Sequence, residues 1–388
     1  LSVQRVVIAH PSPDLYGSDR MLIESVRALT ETAEVTVVLP ADGPLTERLR
    51  PLGAEVVIMP TPVLRKALLR PAGLVRLAGA VVVTLPRMVA WLRRARPSAV
   101  YVNTITIPFW IAAARLARVR VVCHAHEAEQ GGPRLLRRLL VLPARFAHHT
   151  IANSGACLAT LTDGGVPARR GTVVYNGVPA PETPSPARAE PAGRLVLVGR
   201  LSPRKGGDVA IRAVAELRRR GHDVTLTLVG AVFPGYEWYE DELRGLAAET
   251  EGVVFAGFQD PVSPFMDDAD IVLVPSLEEP FGNVAVEGML ARRPVVASGV
   301  QGLREIVEPG VNGVLVPPGD PGALAGAVEA LLRDWPEAVA MAERGRADAE
   351  ARFTLERYRA EILQVVLGNT PNTPYSHGDA GAVAEGGR

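Results

Sequence analysis

Cysteine is nearly absent from this 388-residue chain, Cys123 and Cys157 being the only two. Two thiols make no disulfide framework, and neither stands in a CxxC or zinc-like spacing. Both are expected to be buried thiols in a reducing compartment. Lysine is scarce as well: of 42 basic residues, only Lys66 and Lys205 are not arginine. Arginine richness is therefore compositional and does not by itself argue for nucleic-acid binding. A long uninterrupted apolar run is also missing. The most lipid-like stretch, Leu74 to Leu92, contains Arg76, Pro86 and Arg87, so it is expected to fall short of the roughly 30 Å of a bilayer core. The first apolar segment, Val3 to Ala9, is strand-length and is closed by His10-Pro11, unlike a secretory signal. These absences predict a cytoplasmic protein without a transmembrane helix. Two nucleotide-binding patterns are lacking too. GxGxxG occurs nowhere, and no GxxxxGK[ST] P-loop is present.

What is present begins with apolar residues, 47% of the chain. At this length they suffice for two cores, so two domains are expected. The net charge of zero conceals an asymmetry. Residues 1–187 hold 22 Lys+Arg against 12 Asp+Glu, and the remainder holds 20 against 30. Residues 61–146 carry 15 basic residues against Glu127 and Glu129 alone, which invites an anionic partner for the first half.

Along the chain, short apolar runs alternate with helical stretches. Val3–Ala9, Glu34–Leu39, Ala54–Met59, Ala99–Asn103, Arg120–Cys123 and Thr150–Ala152 read as strands in the first half. Leu195–Val198, Thr225–Val229, Val253–Phe255, Ile271–Val274 and Val295–Ala297 do so in the second. The runs lack period-2 alternation, which fits parallel strands buried on both faces. Helices are expected over Asp19–Thr30 and Phe109–Ala117, from near Lys205, Tyr239, Asn283 and Pro321, and over Leu355–Leu367. The domain reading is therefore a Rossmann-like domain at 1–180, a Pro-rich linker at 181–192 and a second Rossmann-like domain at 193–350. A helix at 351–367 follows, then a tail at 368–388 expected to be disordered.

Ligands of doubly wound sheets lie at the carboxyl ends of the strands, and four strand-end loops carry polar chemistry. In Leu277 to Met289, Glu279 lies in a turn and Glu287 inside an apolar helix. A carboxylate there needs donors, and two ribose hydroxyls would serve. The free N–H groups near Phe281, Gly282 and Asn283 suit a phosphate or sugar oxygen. A helix cap with one surface carboxylate is the plainer reading. In Val198 to Gly207, Arg200 and Lys205 could converge on a diphosphate; two solvated cations is the alternative. In Pro11 to Arg20, Gly17 allows close backbone approach to a ligand, and Asp19 can cap a helix. Cys123 to Glu127 places His124, His126 and Glu127 at a strand end. A metal is disfavoured because no further ligands cluster there, and a histidine bonding a substrate hydroxyl is favoured.

Together these loops resemble the family-4 retaining glycosyltransferases of the GT-B fold. Glu279-x(7)-Glu287 sits inside EPFGNVAVEGMLARRPVVAS, and GRLSPRKG precedes it; Gly302, Glu305, Asn312-Gly313 and Val316 continue the pattern. GSDR stands where a double-glycine loop is common, and HAHE where the family often has His-Asp. The resemblance covers roughly residues 5–365. It implies two doubly wound parallel-sheet domains facing a cleft. Glu287 would bind ribose, Arg200 and Lys205 the diphosphate. Glu279 with the N–H groups of Phe281, Gly282 and Asn283 would meet the transferred sugar and phosphates. Gly17 would lie against the diphosphate and His126 near the sugar, and the C-terminal helix would cross back onto the first domain. Arg293 departs from the pattern, standing where Gly is usual, and is expected to alter its turn locally.

The resemblance also implies retention by a front-face route, with a nucleotide-diphosphate sugar as substrate and no metal or other cofactor. Asp267-Asp268-Ala269-Asp270 contains a formal DxD but precedes its strand, and reads as a turn. A sugar-nucleotide epimerase of the same fold is the alternative from another class. The acceptor is expected to be lipid-linked or an envelope glycan, with a soluble natural product as the alternative. Residues 61–146, with Arg134 to Arg145 as a basic amphipathic segment, predict peripheral docking on the anionic inner face of a membrane.

Overall fold

The computed structural model describes residues 4–14, 17–64, 71–127, 134–181, 186, 188–233 and 235–368. Lys66, Arg65 and Arg70 of the basic segment, part of the Pro-rich linker and residues 369–388 lie outside the described residues.

The first seven strands are β1 (Gln4–Ala9), β2 (Ala33–Leu39), β3 (Glu55–Ile58), β4 (Ala99–Val102), β5 (Arg120–Ala125), β6 (His149–Ala152) and β7 (Gly171–Val173). They form one parallel sheet in the order β3-β2-β1-β4-β5-β6-β7. Its helices are α1 (Gly17–Thr30), α2 (Pro44–Leu49), α3 (Pro71–Ala95), α4 (Phe109–Ala117), α5 (Arg134–Val141) and α6 (Gly155–Asp163). The second sheet has the order β10-β9-β8-β11-β12-β13. Its strands are β8 (Arg194–Val198), β9 (Thr225–Val229), β10 (Val253–Gly257), β11 (Ile271–Val274), β12 (Val295–Ser298) and β13 (Val314–Val316). With it go α7 (Gly207–Arg219), α8 (Glu237–Ala248), α9 (Ser263–Asp268), α10 (Asn283–Leu290), α11 (Leu303–Ile306), α12 (Pro321–Arg333) and α13 (Trp335–Arg352). All the pairings are parallel. Two doubly wound sheets of this kind are the GT-B architecture. The strand order reverses between β1 and β4 and again between β8 and β11, and each reversal opens a crevice at the strands' carboxyl ends.

The missing period-2 pattern has its expected cause: every residue of β4 and of β11 is buried. Cys123 and Cys157 are free, buried thiols, and burial pushes both further from ionisation. The two edge strands β7 and β13 are only three residues long, too short to leave an apolar run in the sequence. Helix α13 also escaped the pattern, because alanine and glycine form much of its buried face. Gly345 packs so tightly that a Cβ there would lie 2.9 Å from the Asn312 carbonyl.

Helix α14 (Leu355–Leu367) begins at Thr354, whose hydroxyl accepts from the Arg357 N–H. It packs on α1 and puts Tyr358, Ile362, Val365 and Val366 into the first domain's core. A buried polar line seats it: the Tyr358 hydroxyl lies 2.7 Å from Ser25 Oγ, Ser25 Oγ lies 3.4 Å from the Tyr101 hydroxyl, and that hydroxyl lies 2.5 Å from His124 Nδ1.

Two expectations need correction. Pro86 does not interrupt the lipid-like stretch, because α3 runs unbroken for 25 residues, about 37 Å at 1.5 Å per residue. By length and composition, Ala72–Ala95 could cross a membrane, and little of it is buried. Met88, Val89 and Leu92 of its last turns enter the core, with Leu85 and Trp91 packed against it. Arg293, in turn, does not simply reshape its own turn. The left-handed residue there is Arg292, at φ 56°. Arg293 is buried and donates to the carbonyls of Met266 and Asp267, at 3.1 and 2.8 Å, at the C-terminal end of α9. A cation there satisfies carbonyls the helix leaves open. The acidic turn acts likewise as a structural tie. Asp270 accepts from the N–H groups of Ala192 and Arg194, each at 2.8 Å, and so fixes the start of β8.

Candidate active site

The loop after β8 makes a short 3-10 turn at Pro203–Lys205 before α7 starts. Gly206 between them has φ +68°, and a Cβ there would lie 2.2 Å from the Pro275 carbonyl oxygen. Only glycine lets the β8 and β11 loops approach this closely. The approach delivers Lys205 to the other loop: Lys205 Nζ lies 2.5 Å from Glu279 Oε2, with the two side chains 16% and 10% exposed. Ser276 Oγ donates to the same oxygen at 2.9 Å. The Glu279 N–H donates to Gln301 Oε1 at 2.7 Å, and the Glu279 carbonyl accepts from the Gly302 N–H at 3.1 Å. Burial works to raise the Glu279 pKa, but Lys205, Arg204 and Ser276 outweigh it and hold the carboxyl below the usual range.

Gly282 caps α10 at φ +119°. Phe281 is buried against Tyr175 and Phe353, with ring centroids 6.0 and 5.6 Å away. Asn283 Oδ1 accepts from Asn176 Nδ2 of the first domain at 2.9 Å. Glu287 lies one turn into α10, and burial raises its pKa, opposed by Arg20 and Lys205. The Arg200 guanidinium stacks on Phe233, its Cζ 3.1 Å from the ring centroid. The second domain thus brings Lys205 and Glu279 into contact, with Glu287 close enough to feel Lys205.

Across the cleft, α1 begins at Gly17, and Arg20 in its first turn donates to Asp260 Oδ1 at 3.0 Å, just past β10. The paired histidines of the HAHE segment separate in role. His124 turns into the core toward Tyr101. His126 Nε2 donates to Asn103 Oδ1 at 2.9 Å. Glu127 is held by the Thr104 hydroxyl and by the His126 N–H at 3.0 Å. Among the described residues no group of three or more His, Cys, Asp or Glu side chains is placed to hold a metal.

Several residues of this site were passed over in the sequence. Glu305 was seen only as part of a pattern. Its carboxylate accepts from the N–H groups of Gly155 and Ala156, each at 2.8 Å, and from the Tyr175 hydroxyl at 3.0 Å, all in the other domain. Asn103 gave one signal, a polar residue closing an otherwise apolar strand run. Ser276 entered only through the family pattern, in Pro275-Ser276; Gln301 and Asn176 gave no signal, being common loop residues whose partners are distant in sequence.

Several known glycosyltransferases resemble the chain in sequence and fold. The family described as Glycosyltransferase Family 4 matches residues 16–180, and that described as Glycosyl transferases group 1 matches residues 192–334. An uncharacterised glycosyltransferase of Methanocaldococcus jannaschii is 34% identical over 173 residues, 44% of each chain. Glycogen synthase of Mycobacterium tuberculosis is 34% identical over 200 residues, 50% of this chain and 48% of its own. The chain spans about half the length of the curated relatives it matches. Anabaena HepE, solved in complex with UDP-glucose, superposes with a TM-score of 0.78 at 26% identity, covering 94% of this chain and 99% of its own.

Proposed function

Because the chain belongs to the group 1, family 4 glycosyltransferases of the GT-B fold, we propose that it moves a sugar from a nucleoside diphosphate sugar to an acceptor hydroxyl, with retention at the anomeric carbon. The observation that carries this reading is the Lys205–Glu279 pair at the head of α10. A cation, a carboxylate and open helix N–H groups meet at one strand end. Such a group can neutralise a diphosphate and position the sugar attached to it. UDP in the HepE complex makes a uridine nucleotide the first donor to try.

The residues then divide the work. Glu287 takes the ribose hydroxyls, and Arg200 and Lys205 take the diphosphate beside the starts of α1 and α10. Glu279 and His126 bond the transferred sugar. The anomeric C–O bond breaks with its electron pair going to the diphosphate, which Lys205, Arg200 and the helix start stabilise. The acceptor oxygen attacks from the same face and its proton passes to the departing diphosphate. The cations make a divalent metal unnecessary. Incubation with UDP-sugars and acceptors, with the product anomer read by NMR, tests the proposal. A retained anomer and released UDP support it. An inverted product, or an epimerised sugar nucleotide without transfer, overturns it.

The acceptor reading is a lipid-linked or envelope glycan met at a membrane surface by a cytoplasmic enzyme. Its support is a basic, apolar face on the first domain. Val75 and Val82 of α3 are each 73% exposed, and Leu135 and Phe146, in and after α5, are 70% and 59% exposed. Arg137, Arg138 and Arg145 accompany them. Apolar side chains flanked by cations suit the plane of an anionic interface.

A further inference from the structure

The His126 ring is fixed from a distance. It is the last member of a buried polar chain that begins on α1. His10 Nε2 donates to Asp19 Oδ1 at 2.7 Å, Asn103 Nδ2 lies 3.1 Å from His10 Nδ1, and Asn103 Oδ1 lies 2.9 Å from His126 Nε2. His10, Asp19 and Asn103 are all buried. They stand at the ends of β1 and β4 and in the first turn of α1, which is the strand-order reversal of the first sheet.

Hydrogen-bond chemistry gives this chain a direction. A carboxylate only accepts, so Asp19 requires a proton on His10 Nε2. A singly protonated imidazole then has a lone pair at Nδ1, and that lone pair takes the amide N–H of Asn103. The carbonyl end of the same amide can only accept, so His126 must carry its proton on Nε2. Its Nδ1 is left as an acceptor, and among the described residues Nε2 is the one ring nitrogen of His126 that is hydrogen-bonded. Burial, reinforced by His10 and opposed by Asp19, pushes the His126 pKa down to about 3, so the ring is neutral at physiological pH.

We propose that Asp19, His10 and Asn103 are positioning residues that lock His126 as the Nε2–H tautomer, so that its Nδ1 accepts a hydrogen bond from a hydroxyl of the transferred sugar. The sugar contact rests on the glycosyl-transfer reading; the tautomer does not. Two near-isosteric substitutions should act in opposite ways. In Asp19→Asn the new amide can donate to His10 Nε2, and every bond in the chain can reverse, leaving His126 protonated on Nδ1. In Asn103→Asp the carboxylate accepts from both rings, and His126 keeps its Nε2 proton. A polar cluster that merely supports the fold would not separate these two changes.

The test is long-range proton–nitrogen NMR of the full chain labelled in its seven histidines, with His126 assigned from the signal lost in His126→Gln. The expected result is Nε2–H in the wild type and in Asn103→Asp, and a shift toward Nδ1–H in Asp19→Asn. A wild-type ring protonated on Nδ1, or an Asp19→Asn spectrum unchanged at His126, overturns the relay. Calorimetry with UDP and UDP-glucose reads the sugar contact. Asp19→Asn should weaken UDP-glucose about fivefold, the size of one neutral hydrogen bond, and leave UDP unchanged. Equal weakening of both ligands removes the sugar contact. Failure of the wild type to bind either one counts against the donor reading, and the tautomer is then decided by the spectra alone.

Discussion

Replacing Lys205 with alanine should damage stability and catalysis for separable reasons. Lys205 is the cation nearest Glu279, at 2.5 Å, and both side chains are largely buried. Its loss strands a carboxylate whose pKa is depressed largely by that ammonium. Breaking a fully buried pair costs about 3–5 kcal/mol. Arg204 and Ser276 remain beside Glu279, so about 2 kcal/mol is the expected loss at pH 7. The sign with pH follows from the depressed pKa. The stabilisation is present above the unfolded carboxyl value of 4.5 and fades as pH falls through the lower folded value, so wild type and variant should converge in acid. On the proposed mechanism Lys205 would face the departing diphosphate during transfer, and its loss should then cut kcat by about 10²–10³-fold, as for one missing oxyanion donor. The double variant Lys205→Ala, Glu279→Gln separates the two roles, because removing the stranded charge should restore most of the lost stability and none of the turnover. Thermal unfolding at pH 7 and pH 4, beside a UDP-release assay, makes the measurement. Near-wild-type turnover in Lys205→Ala refutes the diphosphate role; a stability loss that Glu279→Gln fails to relieve refutes the electrostatic account.

Glu287→Gln should weaken UDP and UDP-sugar binding to the same degree, measured by calorimetry; loss confined to the sugar-bearing ligand would move Glu287 from ribose to sugar. Because burial raises the Glu287 pKa, its charge is a burden above that raised value, and the same variant should melt higher than wild type at neutral pH. Arg293→Gly should lower stability by about 2–3 kcal/mol through lost charged hydrogen bonds while leaving the KM for donor unchanged; an unaltered melting point would remove the tie to α9. Transfer activity should survive EDTA, and abolition with rescue by a divalent ion would overturn the metal-free reading. The enzyme should sediment with anionic vesicles at low salt and be released at high salt; equal binding to neutral vesicles, or none at low salt, would remove the membrane surface.

The fold was legible wherever burial is complete. Strands such as β4 and β11, enclosed on both faces, leave unbroken apolar runs that no loop imitates. The edge strands β7 and β13 and the alanine-faced α13 left no comparable trace. The acidic and basic candidates of the second domain were legible because they cluster within two short loops, Val198 to Gly207 and Leu277 to Met289. The first domain was harder. His126 could be named from its strand end, but its partners His10, Asp19 and Asn103 come from two other loops, and only the β1–β4 adjacency brings them together. The expectation for α3 failed for a physical reason. Proline removes a single N–H from a helix interior, and a long helix tolerates that loss when its neighbours continue the ladder.

Glu305 narrows the places where the diphosphate can bind. The second sheet offers α10, capped by glycine with no side-chain acceptor at its start. On the first sheet, α6 presents the same kind of helix-start N–H groups after β6. An unoccupied helix start would attract phosphate as strongly as any other. The Glu305 carboxylate fills it from the opposite domain, satisfying the N–H groups of Gly155 and Ala156, while Ser154 takes that of Cys157. One negative charge therefore does two things. It fastens the domains together on the side of the cleft near α11, and it removes α6 from competition for an anion. Among the described residues, the starts of α1 and α10 and the Lys205 loop remain as candidate donors. The Arg20–Asp260 and Asn176–Asn283 contacts set the spacing between the two domains. On the proposed mechanism the diphosphate would then lie on the Lys205 side of the cleft, with the transferred sugar toward His126.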